Sequence, residues 1–155
     1  MNRPTFKPLR AFSDSRGYSY FDIFGEPTSG QINIGNLHSG IVKAFHYHRE
    51  QEDLWFCIKG DIHVILVNAC YSGIAGQDVL TLDKELTEVQ HHYIGEHNPG
   101  VLTIPRGWYH GYKNVGSTSS TLLYWVTKPY NPIVKDEYRI EWDFLGKEIW
   151  EAENK

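Results

Sequence analysis

The sequence predicts an all-β fold, an antiparallel barrel or sandwich, on three observations. Short runs rich in β-branched and aromatic residues recur along the whole chain, Gly, Pro, Asn and Asp punctuate them, and helix-period segments are nearly absent. In order, the expected strands are Tyr18 to Phe24, Gln31 to Leu37, Ile41 to Tyr47, Asp53 to Lys59, Asp61 to Asn68, Val89 to Gly95, Gly100 to Ile104, Tyr109 to Asn114 and Thr121 to Thr127. Lys59-Gly60-Asp61 reads as the tight turn between two of them. Cys70 to Glu88, Gly-containing and then acidic, reads as a loop with one turn of helix near Asp83 to Leu86. Pro129 and Pro132 end the strand pattern, and Phe144 to Asn154 is expected to form a short terminal helix carrying Leu145, Ile149 and Trp150.

The 155 residues fit one domain with a core large enough to fold without staples, and no linker divides them. Fifteen basic against nineteen acidic side chains give a net charge of −4, which argues against a surface built to attract nucleic-acid phosphates. Two cysteines, Cys57 and Cys70, are too few for a disulfide scaffold or a four-cysteine zinc site, and Cys57 is read as a buried thiol. The opening Met1-Asn-Arg-Pro-Thr-Phe-Lys-Pro has no apolar core and no segment is apolar enough to span a bilayer, so the expectation is a cytoplasmic protein without membrane partners.

Two stretches carry the chemistry. The first runs from Gly40 through His46-Tyr-His48 and Asp53 to Gly60; the second is Pro105-Arg-Gly107-Trp-Tyr-His110-Gly-Tyr-Lys-Asn114. His46 and His48 share a face of a strand because side chains alternate with period two, and a closed barrel would aim that face inward. The glycine, His-x-His, acidic residue and glycine, followed by Pro-x-Gly-x-x-His-x-x-x-Asn, resemble the two motifs of a cupin. The resemblance implies a double-stranded β-helix, or jelly-roll barrel, of antiparallel strands.

Further blocks narrow the resemblance. Asp14-Ser-Arg16-Gly17, Gln31-Ile-Asn33, Lys43-Ala-Phe-His46-Tyr47, Ile104-Pro-Arg-Gly-Trp-Tyr-His110-Gly, Leu123-Tyr124-Trp-Val-Thr127, Tyr130-Asn-Pro132 and Ile140-Glu-Trp142-Asp143 follow one another. In that order they are similar to the dTDP-4-dehydrorhamnose 3,5-epimerase family, in its short His-x-His branch. The resemblance implies a nucleotide-sugar isomerase or epimerase of deoxysugar or surface-polysaccharide synthesis, acting on a dTDP-linked 4-keto-6-deoxy sugar without a cofactor. His46 would remove the proton next to the ketone, Tyr124 would return one from the opposite face, and His110 would polarise the ketone oxygen. Arg16 and Lys43 would hold the diphosphate, Arg16 across the interface of a homodimer formed by exchanging N-terminal strands. Gln31, Asn33, His48 and Asp53 complete the expected substrate-binding set. An aspartate from a further C-terminal segment orients the family's histidine, a part that falls here to Asp53 or Asp143. Glu52-Asp53 stands where the family carries a lysine, and Lys43 where it carries an arginine.

The residues themselves leave other readings open. Histidine titrates in the range a general base needs, and a positioned base with a stabilised enolate is what α-proton removal requires. Alternatively His46, His48, Asp53 and His110 form a ligand set of imidazoles and one carboxylate that suits a divalent transition metal. A silent sugar-binding cupin is the third reading. His91, His92 and His97 are read as solvated or packed, and His63 as outward-facing or cross-strand. Lys128, Lys135 and Arg139, and the acidic run Asp136-Glu137, are read as solvated surface charges.

Overall fold

The computed structural model describes residues 2–15, 17–25, 29–73 and 80–151. Its strands are β1 (Thr5–Pro8), β2 (Phe12–Asp14), β3 (Gly17–Ser19), β4 (Gln31–Leu37), β5 (Val42–Tyr47), β6 (Asp53–Lys59), β7 (Asp61–Gly73), β8 (Leu80–Gly95), β9 (Gly100–Ile104), β10 (Tyr109–Asn114), β11 (Ser120–Val126) and β12 (Tyr138–Arg139). They form two five-stranded sheets, in the orders β1-β9-β6-β11-β4 and β12-β5-β10-β7-β8, beside a hairpin of β2 and β3. Every pairing is antiparallel.

Three expectations change. The described residues of the loop expected from Cys70 to Glu88 are strand, because β7 and β8 extend as an antiparallel pair in which Cys70 pairs with Asp83 and Gly73 with Leu80, and residues 74–79 lie outside the described residues. Such an arm needs no apolar face, so its polar composition conceals the pairing. The helical turn expected near Asp83 gives way to strand with an irregularity in β8, where the Asp83 carboxylate accepts the N–H groups of Glu85 and Leu86. The first expected strand shortens to β3, and Asp22 beyond it takes a positive φ of 51°. The terminal helix reduces to one 3-10 turn, Lys147–Trp150, entered through Gly146 at φ 102°; residues 152–155 of that expectation lie outside the described residues.

Two cores hold the molecule. Between the sheets lie Trp55, Ile62, Val64, Leu66, Leu102, Ile104 and Leu122. On the outer face of the second sheet the C-terminal segment lays Ile140, Phe144, Ile149 and Trp150 over Phe45, Ile65 and Val67. Burial of these side chains is the main stabilising contribution, on the order of 1.5–3 kcal/mol for each large apolar group. Cys57 is a buried thiol as expected, pushed up to about 12 by burial. Among the described residues no helix is long and apolar enough to cross a membrane.

Candidate active site

The histidines of both motifs meet inside the barrel. His46 and His48 leave β5 and the end of its strand on the inner face, and His110 arrives from β10 in register with His46. Ring centroids of His46 and His110 are 4.2 Å apart, those of His46 and His48 5.3 Å, and those of His48 and His110 5.6 Å. Their ligand nitrogens all lie within 4.8 Å of one another. Trp55 of the facing sheet packs edge-on to His110 at 5.3 Å and lies 6.5 Å from the ring of Tyr124, so a line of rings crosses from one sheet to the other.

Hydrogen bonds fix which nitrogens face the cavity. His48 Nδ1 lies 2.6 Å from the Asp136 carbonyl oxygen and His110 Nδ1 3.0 Å from that of Trp108. A carbonyl only accepts, so both rings carry their proton on Nδ1 and present Nε2 as a lone pair. Gln51 Nε2 donates to His48 Nε2 at 3.2 Å and to Asp53 Oδ1 at 2.6 Å. His110 Nε2 is buried with no hydrogen-bond partner. Its nearest charged group is Asp53 Oδ2, 3.8 Å away, and that oxygen already accepts from Trp55 Nε1 at 3.1 Å.

Burial keeps His46 and His110 neutral. Burial lowers the proton affinity of His46 strongly, and the neighbouring His110 and His48 and the Arg139 and Lys43 charges lower it further. Burial also lowers that of His110, against the pull of Asp53. Tyr124 is held above the usual phenol range by burial and by the carboxylates of Asp53 and Glu137. A phenol so placed keeps its proton and is a donor at neutral pH.

The remaining expected residues divide. Gln31 and Asn33 line the inner face of β4, bonded to each other at 2.6 Å, and Asn33 pairs with Tyr124 in the β4–β11 ladder. Lys43 pairs with Tyr112 on the inner face, exposed at the open end. Asp53 is buried beside His110 but does not join the group whose ligand atoms all lie within 4.8 Å of one another, its oxygens taken by Gln51 and Trp55. The expected four-ligand metal set therefore contracts to three histidines. Among the described residues no carboxylate pairs with His46, and Asp143 instead caps a turn through its carbonyl, which accepts Gly146 N–H. Arg16 lies outside the described residues.

Other groups at the site were not legible as such. Asp136 and Glu137, read as solvated, are working parts: the Asp136 carboxylate accepts the N–H groups of Arg49, Glu50 and Gln51, and Glu137 exerts its charge on His110 and Tyr124. Gln51 and Trp55 flank Asp53 at spacing two, a same-face pattern that would have found both. The three imidazoles fit a divalent transition metal by donor chemistry, by the unpartnered Nε2 of His110, and by Nδ1–H groups anchored on carbonyls as metal-ligating histidines are.

Over residues 12–138 the sequence matches the family described as the polysaccharide biosynthesis C-terminal domain. The chain belongs to that family. It is 37% identical over 142 residues to the spore coat polysaccharide biosynthesis protein SpsL of Bacillus subtilis (strain 168), a match that spans 88% of this chain and 87% of the relative. It is 33% identical over 120 residues to the probable low-salt glycan biosynthesis epimerase Agl13 of Haloferax volcanii, across 74% of this chain and 68% of that protein. The solved structure of dTDP-4-dehydrorhamnose 3,5-epimerase from Sulfolobus tokodaii superposes with a TM-score of 0.67 at 24% identity, over 90% of this chain and 77% of that one. That likeness shows the shared fold. This member of the polysaccharide biosynthesis family thus has the barrel fold of that structure, as its motifs anticipate.

Proposed function

We propose that the protein is a sugar epimerase or isomerase of polysaccharide or deoxysugar biosynthesis that removes a proton α to the ketone of a nucleotide-linked 4-keto-6-deoxy sugar. One observation carries the reading: His46 of one sheet and Tyr124 of the other stand at the two ends of a line of rings that runs between the sheets through His110 and Trp55. An unprotonated imidazole on one side and a protonated phenol on the other are what inversion needs, a base on one face of the ring and a donor on the other. The enolate oxygen would face His110 Nε2, and the developing negative charge together with Asp53 3.8 Å away would draw a proton from solvent onto that nitrogen, which then stabilises the oxygen. The names of the relatives support this class: an epimerase of glycan biosynthesis and a spore coat polysaccharide protein. The test is deuterium uptake in heavy water with dTDP-4-keto-6-deoxyglucose and its UDP counterpart. Uptake that disappears in His46→Ala supports the reading, and no uptake above an enzyme-free control with either sugar sinks it.

A second reading rests on the convergent imidazole nitrogens: His46, His48 and His110 would hold a divalent transition metal. Bound there, the ion would act as a Lewis acid on the ketone oxygen. Elemental analysis of untagged protein decides between them. Stoichiometric metal lost in His110→Ala supports the second reading, and exchange that survives a chelator supports the first.

The functional unit we propose is a homodimer. Ile32 and Ile34 on the edge strand β4 are 62% and 67% exposed, with Phe12, Tyr18 and Phe21 of the N-terminal hairpin region exposed as well. An apolar surface of this kind calls for a partner, and a second copy buries it on both chains. Light scattering at the mass of a single chain would refute this.

A further inference from the structure

Arg139 is not the free surface charge its sequence context suggests. It stands opposite His46 in the β12–β5 ladder, so the two side chains leave the sheet on the same face. Tyr138, next to it, pairs with Tyr47 and stacks on that ring on the opposite face. Glu137 accepts from Arg139 Nε at 2.7 Å and also pairs with its Nη2. The charges of this pair reach the inner-face groups: Glu137 acts on His110 of one sheet and Tyr124 of the other, and Arg139 acts on His46. Glu137 orients the guanidinium, and among the described residues Nη1 has no acceptor. The side chain is 68% exposed. On the other side of His46, along β5, Lys43 brings a second exposed cation to the same face.

We propose that Arg139, oriented by Glu137, forms with Lys43 a two-cation clamp for the diphosphate of the substrate, Arg139 being the positioning residue that sets the sugar over His46. This rests on the nucleotide-sugar reading above. The physical reason is connectivity: the diphosphate is attached to the same ring whose carbon must meet His46, so its anionic oxygens must be held beside that histidine. A forked guanidinium with one edge fixed by a carboxylate and the other free is preorganised for such oxygens, and Lys43 supplies the point charge on the far side.

The experiment is calorimetry of UDP and of dTDP binding to wild type, Arg139→Ala, Arg139→Lys and, as a control on general charge, Lys135→Ala, with thermal midpoints to verify that each variant is folded. Arg139→Ala should weaken the better-bound diphosphate about tenfold or more, the loss of one charge-assisted contact. Arg139→Lys should recover part of the loss and Lys135→Ala should lose nothing. In turnover, Arg139→Ala should raise KM more than it lowers kcat. Binding within twofold of wild type in a folded Arg139→Ala overturns the clamp and leaves the nucleotide-sugar reading standing. Wild type that binds neither nucleotide overturns both. An equal loss in Lys135→Ala reduces the effect to overall charge and overturns the clamp alone.

Discussion

Lys43 and His46 face the same side of their strand although three positions separate them. Strict alternation would send them to opposite faces. The β5–β10 pairing shows why it does not: His46 stands opposite His110 and Lys43 opposite Tyr112, so three steps on β5 match two on β10. The extra residue is absorbed opposite Gly111, where Ala44 and Phe45 both turn toward the outer core. A Cβ at Gly111 would run into the Cβ of Ala44, closer than carbon atoms approach. Gly111→Ala is therefore expected to shift the bulge, cost about 1–3 kcal/mol of stability, and disturb His46 and Lys43 together. Urea unfolding and sugar exchange of the variant check this; wild-type stability with wild-type exchange would mean that the bulge does not set the face.

Tyr124 and His46 belong to opposite sheets, at the two ends of the His110–Trp55 line of rings, which makes the two proposed proton transfers separable. His46→Ala should remove exchange of the α-proton and turnover alike, by a factor of about 100–10,000. Tyr124→Phe should leave deuterium entering the recovered substrate while inverted product falls sharply, because the base still works on its own face and only the opposite donor is gone. Mass spectrometry of recovered substrate beside NMR of the product reads both. A variant Tyr124→Phe that inverts at the wild-type rate removes the tyrosine from the mechanism.

The barrel and the inner histidines were legible because local pattern decides them. Gln31–Leu37, Asp53–Lys59, Gly100–Ile104 and Tyr109–Asn114 keep their expected bounds, and His46, His48 and His110 converge as two motif positions on paired strands must. What was hidden depends on pairings between distant segments. Nothing in Asp136-Glu137-Tyr138-Arg139 says that this piece returns to the edge of β5, 88 residues from His48 to Asp136, and lays its charges at the cavity. The bulge that turns Lys43 inward is likewise set by a glycine on another strand.

Asp136 ties that returning segment to the His48 loop. Its two carboxylate oxygens accept the N–H groups of Arg49, Glu50 and Gln51 at 3.0, 3.1 and 3.0 Å, while its carbonyl takes His48 Nδ1–H. Asp136→Ala leaves three loop amides without their acceptor and frees the residues that aim Gln51. It should cost on the order of 2 kcal/mol and lower kcat through misplaced His48, whereas Asp136→Asn should retain part of both. Equal stability and activity in Asp136→Ala and wild type would show that water replaces the carboxylate without consequence.

His63 adds to the fold's dependence on acid from outside the active site. It is 2% exposed on the outer face of the second sheet, its ring stacked on Tyr93 at 4.4 Å, its Nε2 2.9 Å from His91 Nδ1, and Trp150 above it. Lys113 stands opposite it in the β7–β10 ladder. Burial first, then His91 and Lys113, lowers its pKa from 6.5 to about 4. The unfolded chain therefore takes up a proton near pH 6.5 that the folded protein refuses until about pH 4, so the stabilising contribution is complete above the first value and is lost as pH falls through the window. At about 1.4 kcal/mol for each pH unit, that loss is on the order of 3 kcal/mol. His46, His92 and His110, also lowered, act in the same direction. Replacing His63 with Phe keeps a ring on Tyr93 and removes one titrating group, so urea midpoints measured from pH 7.5 down to 4.5 should fall less steeply in the variant. An unchanged slope would place the acid sensitivity on the cavity histidines, and His46→Ala measured over the same range would then show the flatter curve.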